Sequence, residues 1–139
     1  MPTPFESAQL ILQLFEMRRE PVLRDARSWF VKQFNPATFD EVVAASVERN
    51  DAFRMVIGYW DMAASLVTAG AIDADMFRAA NNEIVAAFAK IEPFLAELRE
   101  ASSVPELARH METVVCGMPQ AAERLELMRT QWRDAAQAC

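Results

Sequence analysis

The residue whose type and position most strongly suggest chemistry is Asp61, a carboxylate that interrupts the apolar run from Tyr59 to Ala64. An ionised carboxylate among apolar side chains needs a charged or hydrogen-bonding partner. The sequence offers Arg24, Arg27 and Arg54 as donors. We therefore expect Asp61 to contact an arginine.

Two interpretations of this carboxylate remain open. In the functional one, Tyr59, Trp60 and Asp61, with Arg24 and Arg27, line a pocket for a small apolar or cationic ligand. In the structural one, Asp61 belongs to an ion pair or to the solvated edge of a helix. Carboxylates with a structural role of this kind are more common than carboxylates that line a ligand pocket.

Catalytic and metal-binding signals are sparse. His110 is the single histidine, with Glu106 four residues before it, and bundle metal sites need more ligands than this pair supplies. Cys116 is six residues from His110, about 120° around an ideal helix, which is too far for direct contact. We expect Cys116 to be a small side chain in the core. Three glycines cannot build a phosphate-binding loop. We expect no catalytic residue, no metal and no cofactor.

The charge distribution limits the partners. The net charge is −6 and the isoelectric point is near 4.8, with no basic face or tail, so we expect neither nucleic acid nor an anionic membrane as a partner. The longest apolar stretch, Met62 to Ile72, is far shorter than the roughly 20 residues that cross a bilayer. Because the N-terminus lacks the basic region of a signal peptide, we expect a cytoplasmic protein.

Helix signals run along the whole chain. Capping boxes, in which a Ser or Thr precedes Glu by three residues, begin helices at Thr3, Thr38 and Ser103. The most apolar segment, residues 51–69, should be the central helix. The apolar stripe of residues 74–91 continues in phase beyond Pro93, which favours one long helix there.

The sequence also predicts a core-facing stripe in the first helix and an exposed patch near the chain end. In the first helix, the stripe of Phe5, Ala8, Leu12 and Phe15 is expected to face the core, together with Ile11 and Leu14. Met118 and Trp132 lie near the chain end and are candidates for an exposed patch that joins two copies.

The fold prediction is an all-α, irregular, single-domain helical bundle covering residues 1–139. It has about six or seven helices, with kinks or breaks at Pro21 and Pro93. The short predicted linkers favour a bundle over a solenoid.

One part of the sequence resembles a known group. The run from Arg54 to Asp73, RMVIGYWDMAASLVTAGAID, and the upstream RDARSWF of Arg24 to Phe30 resemble uncharacterised bacterial all-α proteins known as domains of unknown function. The likeness covers residues 7–98. It implies a helical fold, and it carries no established active site over to this chain.

Strong helix signals without chemical motifs lead to a functional expectation. We expect a non-enzymatic cytoplasmic helical domain that acts through a protein partner or as a homo-oligomer. The alternative is a sensor or carrier with an apolar pocket near Tyr59, Trp60 and Asp61. A third hypothesis, an enzyme that uses carboxylates alone, requires two acids facing one cleft.

Overall fold

The computed structural model describes residues 1–137, with side chains to Asp134, and every regular element in that part is helical. The α-helices are α1 (Pro4–Arg18), α2 (Pro21–Lys32), α3 (Phe39–Glu48), α4 (Asn50–Thr68), α5 (Ala74–Ala80), α6 (Glu83–Ile91), α7 (Leu95–Ser102), α8 (Arg109–Cys116) and α9 (Ala121–Gln137). A 3-10 turn over Glu92–Phe94 joins α6 to α7. Counting that joined pair as one kinked helix, residues 1–137 form eight helices, slightly more than the expected six or seven.

The two prolines act differently. Pro21 is the first residue of α2, and α1 has already ended at Arg18, so the chain breaks there. Glu20 caps α2, because its carboxylate accepts a hydrogen bond from the Leu23 amide at 2.9 Å. Pro93 lies inside the 3-10 turn and kinks a continuous helical path.

The capping signals were partly correct. Thr3 and Thr38 cap α1 and α3, accepting from the amides of Glu6 and Glu41 at 3.1 and 3.2 Å. The third signal was wrong: Ser103 has φ 58° and ends α7, whereas a helix N-cap needs extended backbone. Helix α8 begins only at Arg109.

A further break divides the predicted long helix. Helix α5 ends before Asn81, whose backbone is non-helical and whose side-chain amide donates to the Phe77 carbonyl at 3.0 Å. Helix α6 then starts at Glu83. An asparagine side chain can satisfy helix-end carbonyls, so it competes with continued helix at this position.

Helix α4 is central, as predicted, and packs against α2, α3 and α8. The side chains of Trp60, Ala63 and Ala64 on this helix are completely buried. In the described part of the chain, no helix is long and apolar enough to cross a membrane.

Helix α1 was predicted correctly for Leu14, which is buried, and for Ile11, which packs against the core, but not for the main stripe of large side chains. Its buried residues are Ser7 and Leu14, whereas Phe5, Leu12 and Phe15 are 70%, 67% and 50% exposed. Apolar residues cover most of this helix, so periodicity alone allows either face to be buried. The Ser7 hydroxyl accepts a hydrogen bond from the Asp73 amide at 3.0 Å, and this contact belongs to the face that is buried.

The chain end also differs from expectation. Met118 is buried, and Trp132 is half-buried against the core, with the Lys90 ammonium 5.2 Å from its ring centroid. These two residues therefore form no exposed patch. Cys116, predicted to be a core residue, is exposed at the end of α8.

Candidate functional site

Asp61 binds the start of another helix. One carboxylate oxygen accepts hydrogen bonds from the backbone amides of His110 and Met111, at 3.0 and 3.1 Å. Helix α8 has no capping side chain of its own, because Ala108 stands at its N-cap. Asp61 of α4 thus supplies the cap, and its negative charge meets the positive end of the α8 dipole.

The expected ion pair of Asp61 is not formed with any arginine that the structure describes. His110 makes a second link between α4 and α8, since its Nδ1 lies 2.7 Å from the Thr68 hydroxyl. Glu106 instead pairs with Arg109 at 3.2 Å. Within residues 1–137 no group of three or more His, Cys, Asp or Glu side chains comes together as a metal site.

Tyr59 and Trp60 face the α1 side of the core. The Tyr59 hydroxyl donates to the Leu14 carbonyl at 2.6 Å, and the two rings contact edge to face with centroids 5.0 Å apart. Burial raises the pKa of Tyr59 to about 12, although the positive charges of Arg18 and Arg27 oppose this shift. The phenol is therefore a neutral donor at physiological pH.

Arg27 joins three helices. Its guanidinium binds both oxygens of Glu83 on α6, at 2.7 and 2.8 Å, and also donates to the Arg18 carbonyl at the end of α1, at 3.1 Å. The hydrogen bond to Glu83 raises the pKa of Arg27. Arg24, one turn earlier on α2, is exposed and lines two open cavities together with Arg27.

The five residues predicted as a ligand site therefore lie in three places. Tyr59 and Trp60 contact each other in the core, Arg24 and Arg27 lie on α2, and Asp61 points to α8. Because successive residues of a helix project about 100° apart, neighbours in sequence need not share a pocket.

An apolar groove does pass beside Tyr59, where the end of α1 and the start of α2 meet α4. Its volume is about 550 Å³. The lining residues are Met17, Glu20, Leu23, Met55, Gly58, Tyr59 and Met62. At Gly58 the groove is open, since a Cβ atom added there would meet nothing within 4 Å. Trp60 and Asp61 are not among the residues that line it.

Lys90 is a buried charged residue that was not among the predicted site residues. The side chain is 3% exposed, and its ammonium donates to the carbonyls of Phe30, Val31 and Phe34 at 2.7–2.8 Å and to the Asn35 amide oxygen at 3.0 Å. These acceptors lie at the end of α2, so Lys90 is its C-terminal cap. A lysine inside the apolar stretch of residues 84–91 was the available signal.

Burial lowers the pKa of Lys90 to about 8, and the surrounding oxygens favour its charged form, so the side chain carries a proton at neutral pH. Arg78 and Arg129 have related roles. Arg78 donates to the Val114 carbonyl near the end of α8, at 3.1 Å, and Arg129 donates to the Ala89 carbonyl near the end of α6, at 2.9 Å. Gly117 makes the first contact possible, since a Cβ atom there would lie 2.9 Å from the Arg78 guanidinium.

The fold and these contacts define a class: an all-helical domain whose interior charged side chains bind the ends of neighbouring helices. The chain belongs to the DUF4760 family, a domain of unknown function, whose model matches residues 4–118. The match covers α1 to α8 and ends before α9. Comparisons with curated proteins and with solved structures found no match.

Proposed function

We propose that this domain is a non-enzymatic, cytoplasmic interaction module that self-associates through the exposed apolar face of α1. This face consists of Phe5, Ala8, Leu12 and Phe15. The observation that carries the proposal is that three large apolar side chains on it are half or more exposed, although they follow helical spacing. A row of large exposed apolar side chains of this kind is typical of an interaction surface.

The spacing along the face favours a second copy of the same chain as the partner. Steps of three, four and three residues follow the a and d positions of a coiled-coil seam, and the order reads the same in both directions. A twofold antiparallel pairing then brings Phe5 opposite Phe15 of the other copy, and Ala8 opposite Leu12. Ala8 thereby leaves room for Leu12, and the two phenylalanines meet each other at both ends of a self-complementary, isologous interface.

Charge also favours the antiparallel arrangement. Glu6 lies in the first turn of α1 and the exposed Arg19 stands at its C-cap, so the acidic end of each helix approaches the basic end of the other. The two helix dipoles oppose each other in the same way. A helix of this length, about 22 Å, buries less than a standard interface of about 1,600 Å², so we expect a micromolar dissociation constant.

Leu12→Glu is expected to abolish this self-association, because it puts two carboxylates into the apolar seam. Sedimentation velocity between about 5 and 500 µM should show concentration-dependent dimers for the wild type and only monomers for the variant. Leu127→Glu is the matched control, since Leu127 of α9 is 60% exposed and lies outside the face. A wild type that stays monomeric throughout, or equal dimerisation of the Leu12 variant, would contradict the proposal.

Crosslinking tests the orientation of the two copies. In a background with Cys116→Ser and Cys139→Ser, an Ala8→Cys protein mixed with a Leu12→Cys protein should form mixed disulfides faster than either protein forms disulfides with itself. A parallel dimer would give the reverse order.

The groove beside Tyr59 supports a second candidate function, the binding of a small apolar molecule by a sensor or carrier. Its volume of about 550 Å³ lies within the usual range of ligand pockets, and three methionines give it an adaptable lining. Glu20 is the single charged side chain of the lining, which agrees with an uncharged or cationic ligand.

Filling the groove tests this second candidate. Gly58→Leu should weaken binding of the uncharged dye Nile red at least fivefold, because the new side chain occupies the space above α4. The fold should be retained, since the added Cβ atom meets no neighbour and glycine is a poor helix former. Val47→Leu, which adds bulk at an exposed apolar residue of α3 outside the groove, serves as the control. Unchanged dye binding by the Gly58 variant would argue against the groove as a binding site.

A further inference from the structure

Four arginines meet in one cavity where α1 ends and α2 begins. The cavity has a volume of about 300 Å³. Its lining residues are Phe15, Arg18, Arg19, Arg24 and Arg27. We call it the arginine cavity. Among the described residues, no carboxylate belongs to its lining, although the chain as a whole carries a net charge of −6.

The Arg18 guanidinium is fixed in position but has no counterion among the described residues. Its guanidinium carbon lies 5.0 Å from the ring centroid of Phe15 and 5.4 Å from that of Trp60, so two aromatic rings fix its position. Its Nε is buried and has no hydrogen-bond acceptor among the residues that the structure describes. Within residues 1–137 no carboxylate lies within 4 Å of its nitrogens. Leaving such a charge without a counterion costs free energy.

The other arginines differ in their availability. Arg24 is exposed and makes no ion pair in the described part of the chain. Arg19 contacts Glu16 at 3.5 Å with both side chains about 70% exposed, and pairs of this kind contribute little. Arg27 is already bound to both oxygens of Glu83, so it lines the cavity but is not available to bind a ligand. Arg18 is thus held in place at the cavity, whereas the exposed guanidinium groups of Arg19 and Arg24 can turn toward a ligand.

We infer that the arginine cavity is a binding site for a small multivalent oxyanion, with phosphate or carboxylate groups held by Arg18, Arg19 and Arg24. The planar guanidinium fork matches the oxygens of both groups. Repulsion among the arginines is relieved when an anion binds between them. The size of the cavity suits a molecule of two or three such groups rather than a polymer.

Calorimetric titration with tripolyphosphate and with citrate, at constant ionic strength, tests the site and separates the two sources of oxyanion. We expect at least one to bind the wild type with a dissociation constant below about 1 mM, and Arg24→Gln to weaken that binding at least fivefold. Arg54→Gln is the matched control, because Arg54 is exposed on α4 and outside the cavity. It should bind as the wild type does.

Three results would overturn the inference. They are absence of binding by both anions, equal losses in the Arg24 and Arg54 variants, and binding reproduced by sodium chloride alone. Leu12→Glu should bind the anion as tightly as the wild type, because the cavity lies within one chain. Loss of binding in that variant would instead assign the site to the dimer. Self-association is therefore measured by sedimentation velocity and anion binding by calorimetry, so failure of one proposal is distinguished from failure of the other.

Discussion

Replacing Lys90 by Met should lower the free energy of unfolding by about 2–3 kcal/mol. Methionine has nearly the same length and keeps the packing against neighbouring apolar side chains. The change removes the donor that serves three carbonyl oxygens at the end of α2, at 2.7–2.8 Å. Each carbonyl left without a donor costs roughly 1–3 kcal/mol when buried.

A second effect acts in the opposite direction. Burial lowers the pKa of Lys90 from 10.5 to about 8, so carrying the charge at neutral pH costs about 3 kcal/mol, and methionine removes that cost. Three unsatisfied carbonyls outweigh it, which leaves the net loss given above. The carbonyls of Phe30 and Phe34 carry most of the loss, because their hydrogen bonds to Lys90 are buried.

The chain has only two lysines, which makes the test direct. Lys32→Met is the control, because Lys32 is exposed at the end of α2 and should change stability by less than about 0.5 kcal/mol. Urea denaturation measures both variants. Amine acetylation of the native wild type, read by mass spectrometry, should modify Lys32 much faster than Lys90. Equal acetylation rates, or equal stability of the two variants, would refute the role of Lys90 as a cap.

The contribution of Lys90 to the free energy of unfolding depends on pH, and the lowered pKa fixes the direction of that dependence. Between pH 8 and 10.5 the unfolded chain keeps the lysine proton that the native chain releases, so the unfolded state binds more protons. The free energy of unfolding contributed by Lys90 therefore rises with pH in this window. The difference in stability between the wild type and Lys90→Met should widen by the same amount. A constant difference across the window would contradict the lowered pKa.

Asp61→Ala should lower the free energy of unfolding by about 2 kcal/mol, because the amides of His110 and Met111 lose a charged acceptor. The interaction with the α8 dipole is lost as well. Asp61→Asn keeps an acceptor oxygen and should lose less than half as much, since asparagine is also a good capping residue.

Hydrogen exchange separates this capping role from a ligand role for Asp61. The amides of α8 should exchange faster in Asp61→Ala, while those of α2 remain protected. Asp134→Ala, at an exposed carboxylate of α9, is the matched control and should leave both unchanged. If the α8 amides of Asp61→Ala exchange as slowly as those of the wild type, the carboxylate does not cap this helix.

Local chemistry made the helices predictable. Thr3 and Thr38 capped their helices because a threonine and a glutamate three residues later interact within one turn of chain. Ser103 carried the same signal and failed, because the end of α7 requires its backbone in the left-handed region. A capping motif is therefore a conditional signal, which the preceding helix can override.

The candidate site was less predictable than the fold. Asp61 was correctly singled out as a carboxylate that needs a partner, but its partners are backbone amides about 50 residues away. Backbone amides occur at every residue, so sequence inspection cannot select among them. Lys90 was overlooked for the same reason, since its acceptors are carbonyls of another helix.

The sequence by itself determined the helical class and the central position of α4, because composition and 3.6-residue periodicity are local properties. Only the tertiary structure decided which face of α1 is buried, which interior charges cap which helices, and that Arg18 and Arg24 share one cavity. The physical reason is that an apolar helix can bury either side, and a charge can find its partner on any helix. Packing between helices makes that choice.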